Sequence, residues 1–187
     1  MLINQVQEFH QDVFFSLHSL LGKYPEISSW VFVIAEKIDW WVVVAAIIFV
    51  VSHVHKKTEL FSSQHILVSL REGFVITIAV LIAWGVSYIL KYTISFPRPF
   101  LALPFFEPLF DYGGYDSFPS GHATLFMSLA AVITFRHRLV GYVFVFLAIA
   151  ISLARVIAGV HFPVDIFAGW VIGIVIPFLV YRLFHKE

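Results

Sequence analysis

Over residues 2–21 apolar side chains recur at helical spacing (Leu2, Ile3, Val6, Phe9, Val13, Phe14, Leu17, Leu20, Leu21), while Asn4, Gln5, Glu8, Gln11 and Asp12 fall on the other side. The pattern predicts an amphipathic helix too polar to span a bilayer, lying in the interface or packed against a bundle, and Gly22 to Pro25 ends it. Beyond it the stripe gives way to whole apolar segments. Residues 40–51 form an uninterrupted apolar run of only twelve, whereas a hydrocarbon core of about 30 Å needs roughly 20. The first span must therefore draw on residues from Trp30 onward. That places Glu36, Lys37 and Asp39 near one membrane face, among the interfacial anchors Trp30, Trp40 and Trp41. Glu36 and Asp39 read either as a substrate or metal contact or, more simply, as a locally neutralised cluster at a helix end.

His53, His55, Lys56 and Lys57 open a polar connection running to about Glu72. Two histidines two residues apart hint at a metal site, but no third ligand lies nearby, so a solvated loop is the simpler reading. A second span covers residues 73–90 and ends at Lys91, after which the prolines of Phe96-Pro97-Arg98-Pro99 stop the helix. Residues 100–118 are rich in aromatics, glycine and proline. Phe105, Phe106, Phe110, Tyr112 and Tyr115 serve there either to contact a lipid chain or simply as an aromatic belt, and Asp111 and Asp116 read as loop caps. Three more apolar segments follow, at residues 122–136, 139–154 and 162–183. The expected fold class is all-α. It is a polytopic membrane helix bundle with about five transmembrane helices plus an N-terminal amphipathic helix, six spans if that helix crosses, in a single domain over residues 1–187.

Composition sharpens this picture. The chain is 60% hydrophobic and 13% charged, with a mean hydropathy of +0.89, against about 25% charged residues in soluble domains. The excess apolar surface has to face lipid. A formal net charge of zero argues against nucleic acid as a partner, and the lack of cysteine excludes disulfides and thiolate metal sites. The amino terminus lacks a basic stretch ahead of an apolar core, so no cleaved signal peptide is expected. With the first span running outside to inside, Lys56, Lys57, Arg71, Arg136, Arg138, Arg182 and Lys186 all fall on the cytoplasmic side, as the positive-inside rule asks. The same threading gathers Lys91, Arg98, Ser120, His122, Arg155, His161 and Asp165 on the opposite face.

Those residues suit phosphoryl chemistry. Ser120, Gly121 and His122 follow a proline at the mouth of an apolar helix, where free N–H groups and the dipole favour an anion; a plain capping turn accounts for the same residues. Lys91, Arg98 and Arg155 supply three positive charges, suited to a phosphate and to the charge that spreads over its oxygens as a bond breaks. Singly, Lys91 or Arg155 is equally a snorkelling cation. His161 and Asp165 are four apart and share a helix face. A carboxylate on one ring nitrogen fixes the tautomer and leaves the other nitrogen free to attack, with His122 remaining as general acid.

Three blocks carry a resemblance: Lys91 through Arg98-Pro99, then Pro119-Ser120-Gly121-His122, then Arg155 through His161 to Asp165. In order and spacing they resemble the three motifs of the type 2 phosphatidic acid phosphatase superfamily, except that Ala154 stands where that family usually has serine. The resemblance implies a phosphohistidine formed on His161, oriented by Asp165. It implies protonation of the leaving group by His122, phosphoryl oxygens held by Lys91, Arg98, Ser120, Gly121 and Arg155, and no requirement for a metal or other cofactor. Ala154 removes a possible hydroxyl contact to phosphate. The expected partners are a lipid phosphate substrate and membrane lipids, and the expected place is the cytoplasmic membrane with the site facing the periplasm or exterior. Small size, the short N-terminal helix and the lack of extra domains look most like bacterial undecaprenyl pyrophosphate phosphatases. Phosphatidylglycerophosphate or phosphatidic acid phosphatases are the near alternative. Lipid phosphotransferases share the same intermediate, vanadate haloperoxidases share the motifs but are soluble, and a transporter would need the cations without the His161–Asp165 pair.

Overall fold

The computed structural model describes residues 2–58 and 63–184, with side chains over 11–49, 52, 71, 73–135 and 137–184. The expected apolar positions Leu2, Ile3, Val6 and Phe9 lie outside those described side chains. So do the side chains of His53, His55, Lys56, Lys57 and Arg136 and the tail 185–187. The elements are α1 (Leu2–Lys23), a single turn over Pro25–Ile27, α2 (Ser28–Phe32), a π-turn over Val33–Lys37, α3 (Ile38–Thr58), α4 (Ser63–Ile94), α5 (Pro99–Ala102), α6 (Gly121–Arg136), α7 (Arg138–Ile157) and α8 (Pro163–Phe184). The fold is all-helical; among the described residues the extended pairing amounts to one antiparallel bridge, Pro97 with Asp116.

Among the described residues, three helical stretches are long and apolar enough to cross a membrane: Gly73–Ile94, Arg138–Ile157 and Pro163–Phe184. Gly121–Phe135 is a shorter apolar helix. Large apolar side chains such as Leu81, Ile89, Phe146, Phe167 and Leu183 point outward from these helices, as a surface bathed in lipid requires.

The bundle is built around α6, which packs between α7 and α8 through close glycine contacts. A Cβ at Gly169 would come within 2.8 Å of the Ser120 carbonyl, and one at Gly173 within 2.8 Å of the Thr124 carbonyl. Small residues thus let the α8 backbone approach the first turns of α6. The apolar core of Phe126, Met127, Ala130, Ile133, Phe144, Ala148 and Ile151 fills the seam between α6 and α7.

One expectation fails. The polar connection read from His53 to Glu72 is instead helical over 53–58 and 63–72, where α3 and α4 run through the polar residues. Ile66, Leu67, Val68 and Leu70 are compatible with helix, and polarity by itself does not end one. The N-terminal helix takes the packed alternative. Phe14 is fully buried against Phe106 and Phe162, and His18 Nδ1 lies 2.8 Å from the Ile157 carbonyl.

Candidate active site

Most side chains of this protein are apolar, yet Arg98, Ser117, Ser120, Arg155, His161 and Asp165 are all buried, none more than 4% exposed. Burial of so many polar groups is costly unless they meet partners. They meet one another at the end of the bundle where α4 stops, α6 and α8 start and α7 ends.

α4 carries Lys91 to that end, where its ammonium donates to the carbonyls of Asp116 and Ser117 at 3.0 and 3.1 Å. The chain then turns through Pro97, and Arg98 N–H donates to the Tyr115 carbonyl at 3.2 Å while Ser117 N–H donates to that of Phe96. Arg98 is anchored twice more, through Nε to the Gly114 carbonyl at 2.9 Å and through Nη1 to the Val160 carbonyl at 2.7 Å. The loop 103–120 therefore folds over the site, and its Tyr112 does not reach out for lipid. The ring lies under both guanidinium groups, 4.3 Å from Arg98 Cζ and 4.6 Å from Arg155 Cζ.

His161 hangs between α7 and α8. Gly159 makes the turn possible: its φ of +81° suits glycine, and a Cβ there would lie 2.7 Å from the Phe106 ring. His161 Nδ1 lies 3.3 Å from Asp165 Oδ2, which also accepts from Phe162 N–H at 2.8 Å. Ser117 completes the cluster, donating from Oγ to Asp165 Oδ2 and lying 3.3 Å from His161 Nδ1. On the other side of the ring, Arg98 Nη1 is 3.3 Å from Nε2. Burial, reinforced by the charges of Arg98, Arg155 and Lys91, holds the His161 imidazolium well below the usual histidine range. His161 is therefore neutral near pH 7.

Ser120 is the N-cap of α6, its Oγ 3.4 Å from Ala123 N, and its own N–H donates to the Asp165 carbonyl at 3.1 Å. Gly121 and His122 open the helix and face a cavity of about 210 Å³ that Lys91, Arg98, Tyr112 and His161 also line. Arg155 is fully buried. Its Nη1 donates to the Ala35 carbonyl at 2.7 Å and sits 3.8 Å from Glu36 Oε2, while its Nε and Nη2 find no acceptor among the described residues.

All eight residues singled out by sequence thus converge. The reading of Glu36 and Asp39 as a self-neutralising cluster at a helix end needs correction: Glu36 faces Arg155, and Asp39 Oδ2 lies 3.5 Å from His122 Nε2. Ser117 and Tyr112 also join the site without having been assigned to it. Ala154 packs with Val31, Ala35 and Ala158, so the missing serine hydroxyl leaves a small-residue contact between α7 and the π-turn.

The helical bundle thus gathers two buried arginines, a half-buried lysine and a buried histidine–carboxylate pair at one end. The chain belongs to the PAP2 superfamily, which it matches over residues 69–187. It is 31% identical over 97 residues to the undecaprenyl-diphosphatase BcrC of Bacillus subtilis, covering 52% of this chain and 50% of that protein. It is 31% identical over 115 residues to an undecaprenyl-diphosphatase of Sulfolobus acidocaldarius, covering 57% and 52% respectively. The chain spans about half the length of these curated relatives. The crystal structure of Aquifex aeolicus LpxE shares the fold, with a TM-score of 0.70 at 22% identity over 92% of this chain and 94% of that one.

Proposed function

We propose that this protein is a membrane lipid phosphatase that cleaves a lipid phosphate or diphosphate through a phosphohistidine on His161, with undecaprenyl pyrophosphate, cleaved to undecaprenyl phosphate, as its substrate. The observation that carries the chemistry is the line Arg98, His161, Asp165. An arginine N–H can only donate, so the contact at His161 Nε2 is to a lone pair and the ring proton sits on Nδ1, toward Asp165 and Ser117. Nε2 is the nucleophile. It attacks phosphorus, the bond from phosphorus to the leaving oxygen breaks, and His122 gives that oxygen a proton. Water then attacks the phosphohistidine and loses a proton to His122, and the P–N bond breaks to release inorganic phosphate and free His161. Throughout, Nδ1 keeps its proton against Asp165.

Lys91, Arg98 and Arg155 bind the phosphoryl oxygens together with the Gly121 N–H. The unpartnered Nε and Nη2 of the buried Arg155 support this, because an unmet buried donor costs about 1–3 kcal/mol and a phosphoryl oxygen removes that cost. Ser120 shapes the anion site as the cap of α6. Two relatives bearing the name undecaprenyl-diphosphatase support the substrate. The site faces the outer side of the cytoplasmic membrane in a chain of five spans. In support, α4 and α8 run antiparallel, and at the end away from Lys91 and Asp165 the Arg71 guanidinium donates to the Phe184 carbonyl, among the basic residues that mark a cytoplasmic face.

Phosphate release by the detergent-purified chain from undecaprenyl pyrophosphate, phosphatidylglycerophosphate and phosphatidic acid, with EDTA present, tests this reading. The prenyl diphosphate should be turned over fastest. Preference for a glycerolipid would move the function to phospholipid metabolism, and no release from any of the three would remove the phosphatase reading.

A further inference from the structure

The family match starts at residue 69, yet two carboxylates from the preceding third of the chain reach the site. The π-turn Val33–Lys37 aims the Ala35 carbonyl and Glu36 at Arg155, and the first turn of α3 brings Asp39 to His122. Such π-turns shift the register of a helix by one residue and are frequent at functional sites. Asp39 is itself held, its Oδ1 accepting from Trp40 N–H at 2.7 Å.

From this geometry we propose that Asp39 is the positioning residue for His122, holding one ring nitrogen so that the other presents its proton to the leaving oxygen. His122 shares its cavity with Lys91 and Arg98, and Asp39 is the carboxylate that reaches its ring, Oδ2 to Nε2 at 3.5 Å. Glu36 faces Arg155, which leaves Asp39 for the histidine. The pair repeats, on the acid, the orienting arrangement that Asp165 provides for the nucleophile. This inference rests on His122 being the acid.

Leaving-group dependence tests it. A lipid monophosphate expels an alkoxide and needs the proton, whereas an aryl phosphate such as 4-nitrophenyl phosphate expels a stable anion and does not. In the full-length chain, Asp39→Asn should lower kcat on the lipid monophosphate about 10- to 100-fold, within the roughly 10²–10⁴-fold that an acid supplies. KM should be unchanged, the first-turnover release of 4-nitrophenolate, which precedes the step in which His122 takes a proton from water, should stay within about twofold, and Asp39→Glu should recover part of the loss. An equal loss on both substrates would mean that Asp39 merely supports the fold, and no loss on either would mean it has no role; both outcomes overturn the inference. His122→Ala separates the two layers. If His122→Ala spares monophosphate hydrolysis, the acid itself is misassigned; if it abolishes hydrolysis while Asp39→Asn does not, only the role of Asp39 falls.

A different observation concerns Ser87. On the described helices Thr77, Thr93, Ser128, Thr134 and Ser152 each donate to a carbonyl three or four residues earlier. Ser87 is 1% exposed, finds no hydrogen-bond partner for Oγ among the described residues and lines the cavity. It precedes Lys91 by one turn on the same face of α4, on the side where Trp84 and Leu125 continue the lining. We infer that the Ser87 hydroxyl binds the anionic group next to the transferred phosphate, the inner phosphate of a lipid diphosphate. This rests on the lipid phosphatase reading. Ser87→Ala, which removes one oxygen from a buried site, should reduce kcat/KM on the lipid diphosphate about tenfold and leave the matching monophosphate unchanged. Equal effects on the two lipids, or none, would overturn it, whereas failure of the wild type to hydrolyse either lipid would overturn the parent reading.

Discussion

Arg98 and His161 meet guanidinium to imidazole, Nη1 to Nε2 at 3.3 Å, on the side of the ring opposite Asp165. The arginine thus touches the ring nitrogen to which the proposed mechanism assigns the attack, and Asp165 holds the other.

Asp165→Asn tests the tautomer. An amide in place of the carboxylate can present an N–H to Nδ1, which would place the ring proton on Nε2 and quench the nucleophile. By analogy with other carboxylate-oriented histidines, kcat should fall by about 10²–10⁴-fold with the protein folded. Phosphate release and circular dichroism measured together check both halves of that expectation.

Ser117→Ala removes the hydroxyl that bridges Asp165 and His161. The carboxylate keeps Phe162 N–H and the imidazole, so the orientation is loosened without being lost. A drop of about tenfold in kcat with little change in KM is expected, corresponding to roughly 1.4 kcal/mol.

The acid side of the pH profile depends on His161. Because burial and the surrounding cations hold its folded-state value well below the usual histidine value of about 6.5, activity should persist below that pH before the nucleophile is protonated. Arg98→Ala removes one of those cations, so the acid limb of its residual activity should move to higher pH. The consequence for stability has a definite sign. Below about pH 6.5 the unfolded chain takes up a proton that folded His161 refuses, so stability falls as pH drops through that range. Thermal unfolding of wild type and His161→Gln at pH 7 and pH 5 should show a larger acid-induced drop in Tm for the wild type.

Gly159→Ala meets two obstacles, a left-handed backbone at φ +81° and the Phe106 ring 2.7 Å from the new methyl. The loss should exceed about 1 kcal/mol. It should appear as a lowered Tm and a weaker kcat, since the same turn delivers His161.

Much of the site was legible in the chain because membrane threading needs only apolar segments and the residues at their ends. Lys91, His122, Arg155 and Asp165 sit at helix ends on one face, so they converge whatever the crossing angles. Ser120 was readable as a cap from the proline before it and the apolar run after it. Asp39 and Glu36 were not assigned, because their aim depends on the π-turn, a register shift of one residue that hydropathy does not encode. Ser117 has no local signal, since its role comes from residues 44 and 48 positions away. Tyr112 resembles any belt aromatic until the two guanidinium groups are seen on its ring.

The central claim is that His161 carries the phosphoryl group. Rapid acid-free quenching of the detergent-purified protein during turnover of a lipid diphosphate labelled in its terminal phosphate should trap a base-stable, acid-labile phosphoryl group on His161. His161→Ala should show neither label nor phosphate release. Turnover retained by His161→Ala, or label found on another residue, would contradict the account.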